Sequence, residues 1–175
     1  MAESEGGGVD SSPQPLVFNS SIGQPGSFST FLLVANISKT NNIVPLLYSA
    51  IMHGFYPVIV GLPGVSSTFL ASQLPPVPFA RFSTLAEATS WFAARQVRIV
   101  GIEIMREARS FLEDSWSASC ALMPGNEGTG LSAMQKAVCS EFVYIPQLGA
   151  GTASLNVHVA TTLVMHQFSH WQRRR

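Results

Sequence analysis

The chain has 175 residues, 46% hydrophobic and only 11% charged, with ten basic residues against ten acidic ones. That length and composition give one domain with a sizeable core, and exclude a disordered or solvated chain. Zero net charge argues mildly against nucleic acid by composition alone, because such binders carry a basic surplus; so sparse a surface charge also predicts an apolar patch covered by a second copy or a partner.

Residues 1–27 open with MAESEGGGVDSSPQP, acidic and rich in Gly, Ser and Pro, and are expected to form a disordered tail; residues 28–175 form the single domain. The tail lacks the basic start of a secretion signal and the Arg-rich pattern of a transit peptide, and no apolar run reaches the length of a membrane span. Cys120 and Cys139 have no metal-ligand spacing and sit in apolar contexts, which predicts buried free thiols. A reducing, cytoplasmic location is expected, with nucleus or organelle left open.

Phe31–Ala35 reads as a buried strand, and Asn42 as the N-cap of a helix running to His53, with Pro45 in its first turn and Gly54 ending it. Tyr56–Val60 is a second strand, and residues 61–82 read as a long irregular loop. Leu85–Gln96 is a helix with Glu87 placed for a capping box, Val97–Ile104 a third strand, and Glu107–Asp114 a short helix. Ser119–Met123 is a fourth strand, Ser132–Ser140 a helix, Phe142–Ile145 a strand, and Leu155–Arg173 a long terminal helix. This alternation predicts an α/β fold, a mostly parallel sheet with helices on both faces. Ligands in such sheets sit beyond the carboxyl ends of the strands, where the two Gly-rich loops fall.

The first of these loops, PGNEGTGL at 124–131, places three glycines around one carboxylate. It lacks the lysine of a phosphate loop and puts Glu127 where it would repel phosphate; neither it nor Gly149–Ser154 has the dinucleotide spacing. A backbone loop with little side-chain bulk suits an uncharged heterocycle read along its edge, and a nearby carboxylate tolerates a cation. S-adenosylmethionine combines both features, and a tight turn with a helix cap is the alternative.

Three ordered segments carry a family resemblance: Asn42–Tyr48 continuing to Gly54, Gly125–Ser132, and Ile145–Gly149 followed by Ser154–Ala160. They resemble the three motifs of the SpoU/TrmH branch of the SPOUT RNA methyltransferases, over nearly everything from Phe31 to Trp171. The resemblance implies a C-terminal deep trefoil knot, a homodimer packed through the knot, and an active site near the subunit interface. It implies transfer of a methyl group from S-adenosylmethionine to a ribose 2′-hydroxyl in tRNA or rRNA. The cofactor would lie against Met123, Pro124, Gly125, Asn126, Gly128, Ile145, Gln147, Gly149, Ser154, Leu155 and Asn156. Asn42, Tyr48, Glu127, Ser154 and Asn156 would surround the chemistry.

One position departs from the family. Six residues after its asparagine the family carries an arginine, the proposed activator of the ribose hydroxyl, and this chain has Tyr48. A 2′-hydroxyl gains from a positioned base or a cation, and a phenol is a weak base at neutral pH. Either Lys39 or an arginine of the other subunit supplies the charge, or Tyr48 acts itself, or the protein is a knotted RNA- or cofactor-binding module that methylates poorly. Asn42, Ser154 and Asn156 have helix capping as an alternative role, and Tyr48 that of an amphipathic helix residue with a wet hydroxyl. Glu127 has no packing reason to stand among glycines, which favours function. His158, His166 and His170 show helical spacing but no third ligand, so no metal is expected. Lys39, Arg173, Arg174 and Arg175 are candidate RNA phosphate contacts, and an accessory protein or a small hairpin substrate would suit a chain with little beyond the catalytic domain.

Overall fold

The computed structural model describes residues 16–18, 29–62, 64–149 and 154–175. Its elements are β1 (Leu16–Phe18), β2 (Thr30–Ala35), α1 (Thr40–Met52), β3 (Tyr56–Val60), α2 (Ser67–Gln73), β4 (Phe79–Phe82) and α3 (Leu85–Ala94). There follow β5 (Arg98–Ile102), β6 (Arg109–Ser110), β7 (Cys120–Pro124), α4 (Ala133–Val138), β8 (Glu141–Tyr144) and α5 (Val157–Arg173). β2, β3 and β7 are buried at every position, as central strands of a sheet covered on both faces must be.

The strands form one sheet in the order β1-β4-β3-β2-β7-β5-β8-β6. Every neighbouring pair is parallel except β1 with β4, so the expected α/β architecture is present. Alternation along β2 splits the core. Leu32 and Val34 face α1, α2 and α5, packing with Leu46, Leu47, Val164 and Phe168. Phe31 and Leu33 face α3, where Trp91 and Phe92 meet Phe31 edge-on at 5.6 and 5.3 Å. Because seven strands run the same way, the chain leaves β2, β5, β7 and β8 at one edge of the sheet.

Several local expectations are corrected. α1 begins at Thr40 with Lys39 as its N-cap, so Asn42 lies inside the first turn and Pro45 in the second. The 61–82 stretch contains α2 and β4: Ser66 caps α2 by accepting the Phe69 N–H, and Phe79–Phe82 adds to β3. Arg81 organises the preceding loop, donating to the carbonyls of Gly61 (2.7 Å), Leu62 (2.9 Å) and Val65 (2.7 Å). Glu107–Asp114 is not helical. Arg109–Ser110 joins β8 instead, and Arg109 stacks 4.5 Å over Trp116 while bonding Glu141 at 3.3 Å. In each case long-range partners outweigh a weak local pattern. Leu16–Phe18 falls inside the stretch expected as a disordered tail, yet its backbone pairs antiparallel with β4; the rest of residues 1–27 lies outside the described residues.

Candidate active site

Four chain segments leave the sheet at its carboxyl edge: Asn36–Lys39 after β2, Glu103 after β5, Gly125–Ser132 after β7 and Ile145–Gly149 after β8. Glu127 ties the first to the third. One carboxylate oxygen accepts from the Ser38 N–H (3.2 Å) and hydroxyl (3.1 Å), the other from the Lys39 N–H (3.2 Å) and Asn42 Nδ2 (2.8 Å). α1 has no side-chain cap and no acid in its first turn, so Glu127, from across the sheet, supplies the negative charge its N-terminus favours. Partial burial pushes the Glu127 carboxyl up, but the Asn42 amide and these N–H groups outweigh it and hold it at about 2.

Asn42 passes the tie onward, its Oδ1 accepting from Asn156 Nδ2 at 3.1 Å. Asn156 is the N-cap of α5, accepting from the N–H groups of His158 (2.9 Å) and Val159 (3.4 Å). Glu127, Asn42 and Asn156, one from each sequence motif, thus form a single hydrogen-bonded line. Ser38, which sequence reasoning missed, anchors it, and the only signal was its place just ahead of the Asn42 segment.

The glycines of the second motif line the cleft, and two of them are also required by the fold of the loop itself. A Cβ on Gly125 would stand 2.7 Å from the Gly130 carbonyl carbon, and Gly130 has φ +68° with its missing side-chain space filled by the Glu103 carboxylate. Both are required by closure of the loop on itself, through the Asn126–Gly130 pair of 2.9 Å backbone bonds. Gly128 alone leaves room, with Asn126 Oδ1 3.6 Å from its Cβ position. The Asn126 side chain braces the loop, donating to the Asn36 carbonyl (2.8 Å) and accepting from the Gly128 N–H (2.9 Å). Glu103, also unforeseen, accepts the Leu131 N–H at 2.7 Å; a lone carboxylate between Ile102 and Ile104 at a strand end was the available signal.

These segments enclose a cleft of about 210 Å³ lined by Ile102, Glu103, Pro124, Gly125, Asn126, Glu127, Gly128, Tyr144, Ile145, Gln147, Ser154, Leu155 and the α5 face of Val157, Ala160 and Thr161. Apolar walls with a few convergent polar groups suit a nucleoside. Met123 does not line it: its side chain is fully buried on the α3 face. Gly149 is exposed beyond the lining, next to residues outside the described set.

Tyr48 also stands apart from the cleft, 47% exposed on the outer side of α1. Lys39 is exposed at the start of α1. Arg174 pairs with Asp114 at 2.7 Å and Arg175 lies 5.0 Å over Trp171, while Arg173 ends α5. Ser49 Oγ and His158 Nε2 join α1 to α5 at 2.8 Å, and desolvation pushes the His158 pKa down. Burial pushes the Cys120 thiol to about 12. Among the described residues no group of three His, Cys, Asp or Glu could hold a metal, and no helix is long and apolar enough to cross a membrane.

Comparison with known proteins agrees with this geometry. An uncharacterized tRNA/rRNA methyltransferase of Mycobacterium ulcerans is 30% identical over 151 residues, covering 81% of this chain and 48% of that protein. The chain thus spans about half the length of that relative. The SpoU methyltransferase AviRb from Streptomyces viridochromogenes, solved with AdoMet, superimposes with TM-score 0.70 at 23% identity, over 85% of this chain and 63% of that one. An RNA 2′-O ribose methyltransferase superimposes with TM-score 0.66 at 24% identity, over 84% and 58%. The SpoU rRNA Methylase family profile matches residues 30–166, a span that contains all three segments brought together at the cleft, and the chain belongs to that family.

Proposed function

We propose that this chain is the catalytic domain of an S-adenosylmethionine-dependent RNA methyltransferase that modifies a ribose 2′-hydroxyl of tRNA or rRNA. The observation that carries this is the line Glu127–Asn42–Asn156 beside an apolar cleft at the carboxyl edge of the sheet. Family membership and the names borne by the relatives and neighbours support it. Pro124, Gly128, Ile145, Gln147 and Leu155, which line the cleft, would hold the adenosyl group. The cofactor, when bound, supplies a methyl group activated by a sulfonium. The chain's own part is to fix the loops, exclude water with the apolar wall and present the RNA hydroxyl.

A homodimer belongs to the same proposal, as does the C-terminal knot. α1 and α5 form one outer layer carrying exposed Tyr48, Met52, Val159 and Leu163, an apolar face that a second copy would cover. Tyr48 would then reach a site through the interface, with Lys39 or a partner's arginine supplying positive charge for the developing alkoxide. The location of Tyr48 outside the cleft also favours a second possibility, a domain that binds cofactor or RNA but methylates weakly.

Calorimetry with S-adenosylmethionine, then methyl transfer to total tRNA and rRNA with nucleoside analysis of the product, separates these. The expected product is a 2′-O-methyl nucleoside, lost in Glu127→Ala, from a protein that sediments as a dimer. A gain in Tyr48→Arg identifies a weakened ribose site, and transfer unchanged in Tyr48→Phe rejects a catalytic phenol. No binding at millimolar cofactor sinks the enzyme assignment.

A further inference from the structure

We propose that Glu103 is a specificity residue of the cleft, its carboxylate accepting hydrogen bonds from the cis-diol of the ribose in a bound adenosyl group. The inference rests on the cofactor assignment above and adds to it a residue outside the three motifs.

Glu103 follows β5 directly, and its own N–H donates to the Val143 carbonyl at 3.0 Å, which locks its backbone between β5 and β8. One carboxylate oxygen accepts the Leu131 N–H at 2.7 Å. The left-handed Gly130 makes the space that this carboxylate fills, so the binding loop is shaped around an acid from another strand. The side chain is therefore oriented before any ligand arrives, which lowers the cost of binding. No basic side chain pairs with Glu103 among the described residues, Glu103 lines the cleft, and its other oxygen keeps its acceptor capacity. Glu127, the second carboxylate of the lining, is taken up by Ser38, Lys39 and Asn42.

Two donor groups could meet the remaining oxygen: neighbouring hydroxyls or an ammonium. The walls beside Glu103 are Ile102, Pro124, Tyr144 and Ile145, an apolar setting that suits a nucleoside sugar better than a strongly hydrated ammonium. Carboxylates that accept from ribose hydroxyls are an established solution in nucleotide sites of another fold.

The test is calorimetric titration of the full chain with S-adenosylhomocysteine and its 2′-deoxy and 3′-deoxy forms. A lost hydrogen bond to a charged acceptor predicts that the wild type binds the deoxy forms about tenfold to a hundredfold more weakly. In Glu103→Ala that gap should close to within about threefold, because the group that reads the hydroxyls is gone. Glu103→Gln keeps the size and a neutral acceptor for Leu131, and should narrow the gap while melting closer to wild type than the alanine variant, which covers the case of an alanine variant that does not fold. A gap that survives in either variant overturns the assignment and leaves Glu103 a loop brace. Failure of the wild type to bind any of the three nucleosides overturns the cofactor assignment itself.

Discussion

Three glycine-to-alanine substitutions in one loop should have three different costs. Gly130→Ala forces a left-handed backbone (φ +68°) on an L-residue, worth about 1–2 kcal/mol. Its Cβ would also collide with the Glu103 carboxylate and break the 2.7 Å bond to the Leu131 N–H, a bond to a charged group worth about 1.5–3 kcal/mol. Together these give about 2.5–5 kcal/mol, or a fall in Tm of roughly 5–20 °C for a chain of this size. Gly125→Ala meets backbone atoms at 2.7 and 2.8 Å that cannot rotate away, for about 1–3 kcal/mol. Gly128→Ala meets only Asn126 Oδ1 at 3.6 Å and should stay within about 0.5 kcal/mol. Urea unfolding of the three variants reads the order directly. In the Glu103→Ala background the collision disappears, so Gly130→Ala should cost only its backbone term. Equal costs at 128 and 130, or no coupling to Glu103, would refute loop closure as the reason for these glycines.

Two further measurements probe the line of hydrogen bonds. The Glu127 carboxyl is held at about 2 against an ordinary 4.5, so its contribution to stability is complete above pH 4.5 and lost as pH falls from there toward 2. Urea midpoints of wild type and Glu127→Gln should therefore differ by a constant amount near neutrality and converge below pH 4.5; parallel curves across that range would refute the assignment. Asn156→Ala removes the α5 cap and should cost about 1 kcal/mol, with faster amide exchange at His158 and Val159, whereas Asn156→Asp should keep most of the cap; unchanged exchange in the alanine variant would show that the helix needs no cap.

The parallel sheet and its main strands were legible because apolar runs between helical stretches leave few other arrangements. Errors fell where the deciding partner is far away in sequence. Nothing around residues 61–82 announces that Arg81 will hold three carbonyls of the loop before it. Asn42 looked like a cap because helix starts favour asparagine, yet its amide is spent on Glu127, 85 residues on. The motif glycines were correctly singled out, and the second reason for two of them lay beyond the sequence. Their neighbours in the fold are each other and Glu103, and no spacing rule connects residue 103 to residue 130.

Tyr48 marks the opposite limit, where sequence and structure together constrain the function. It stands six residues after Asn42, which is about 240° around an α-helix. Asn42 points at Glu127 and Asn156, so a side chain six positions later must emerge on another face of α1. That face is the outer one, where Tyr48 and Met52 are 47% and 65% exposed. Within one chain, therefore, Asn42 and Tyr48 do not converge on the same substrate atom. Under the proposed dimer they need not, because the outer face of one copy would meet the cleft of the other. The charge lost when this position is tyrosine is then a property of the interface, and Tyr48→Arg tests the pair of subunits rather than the isolated helix.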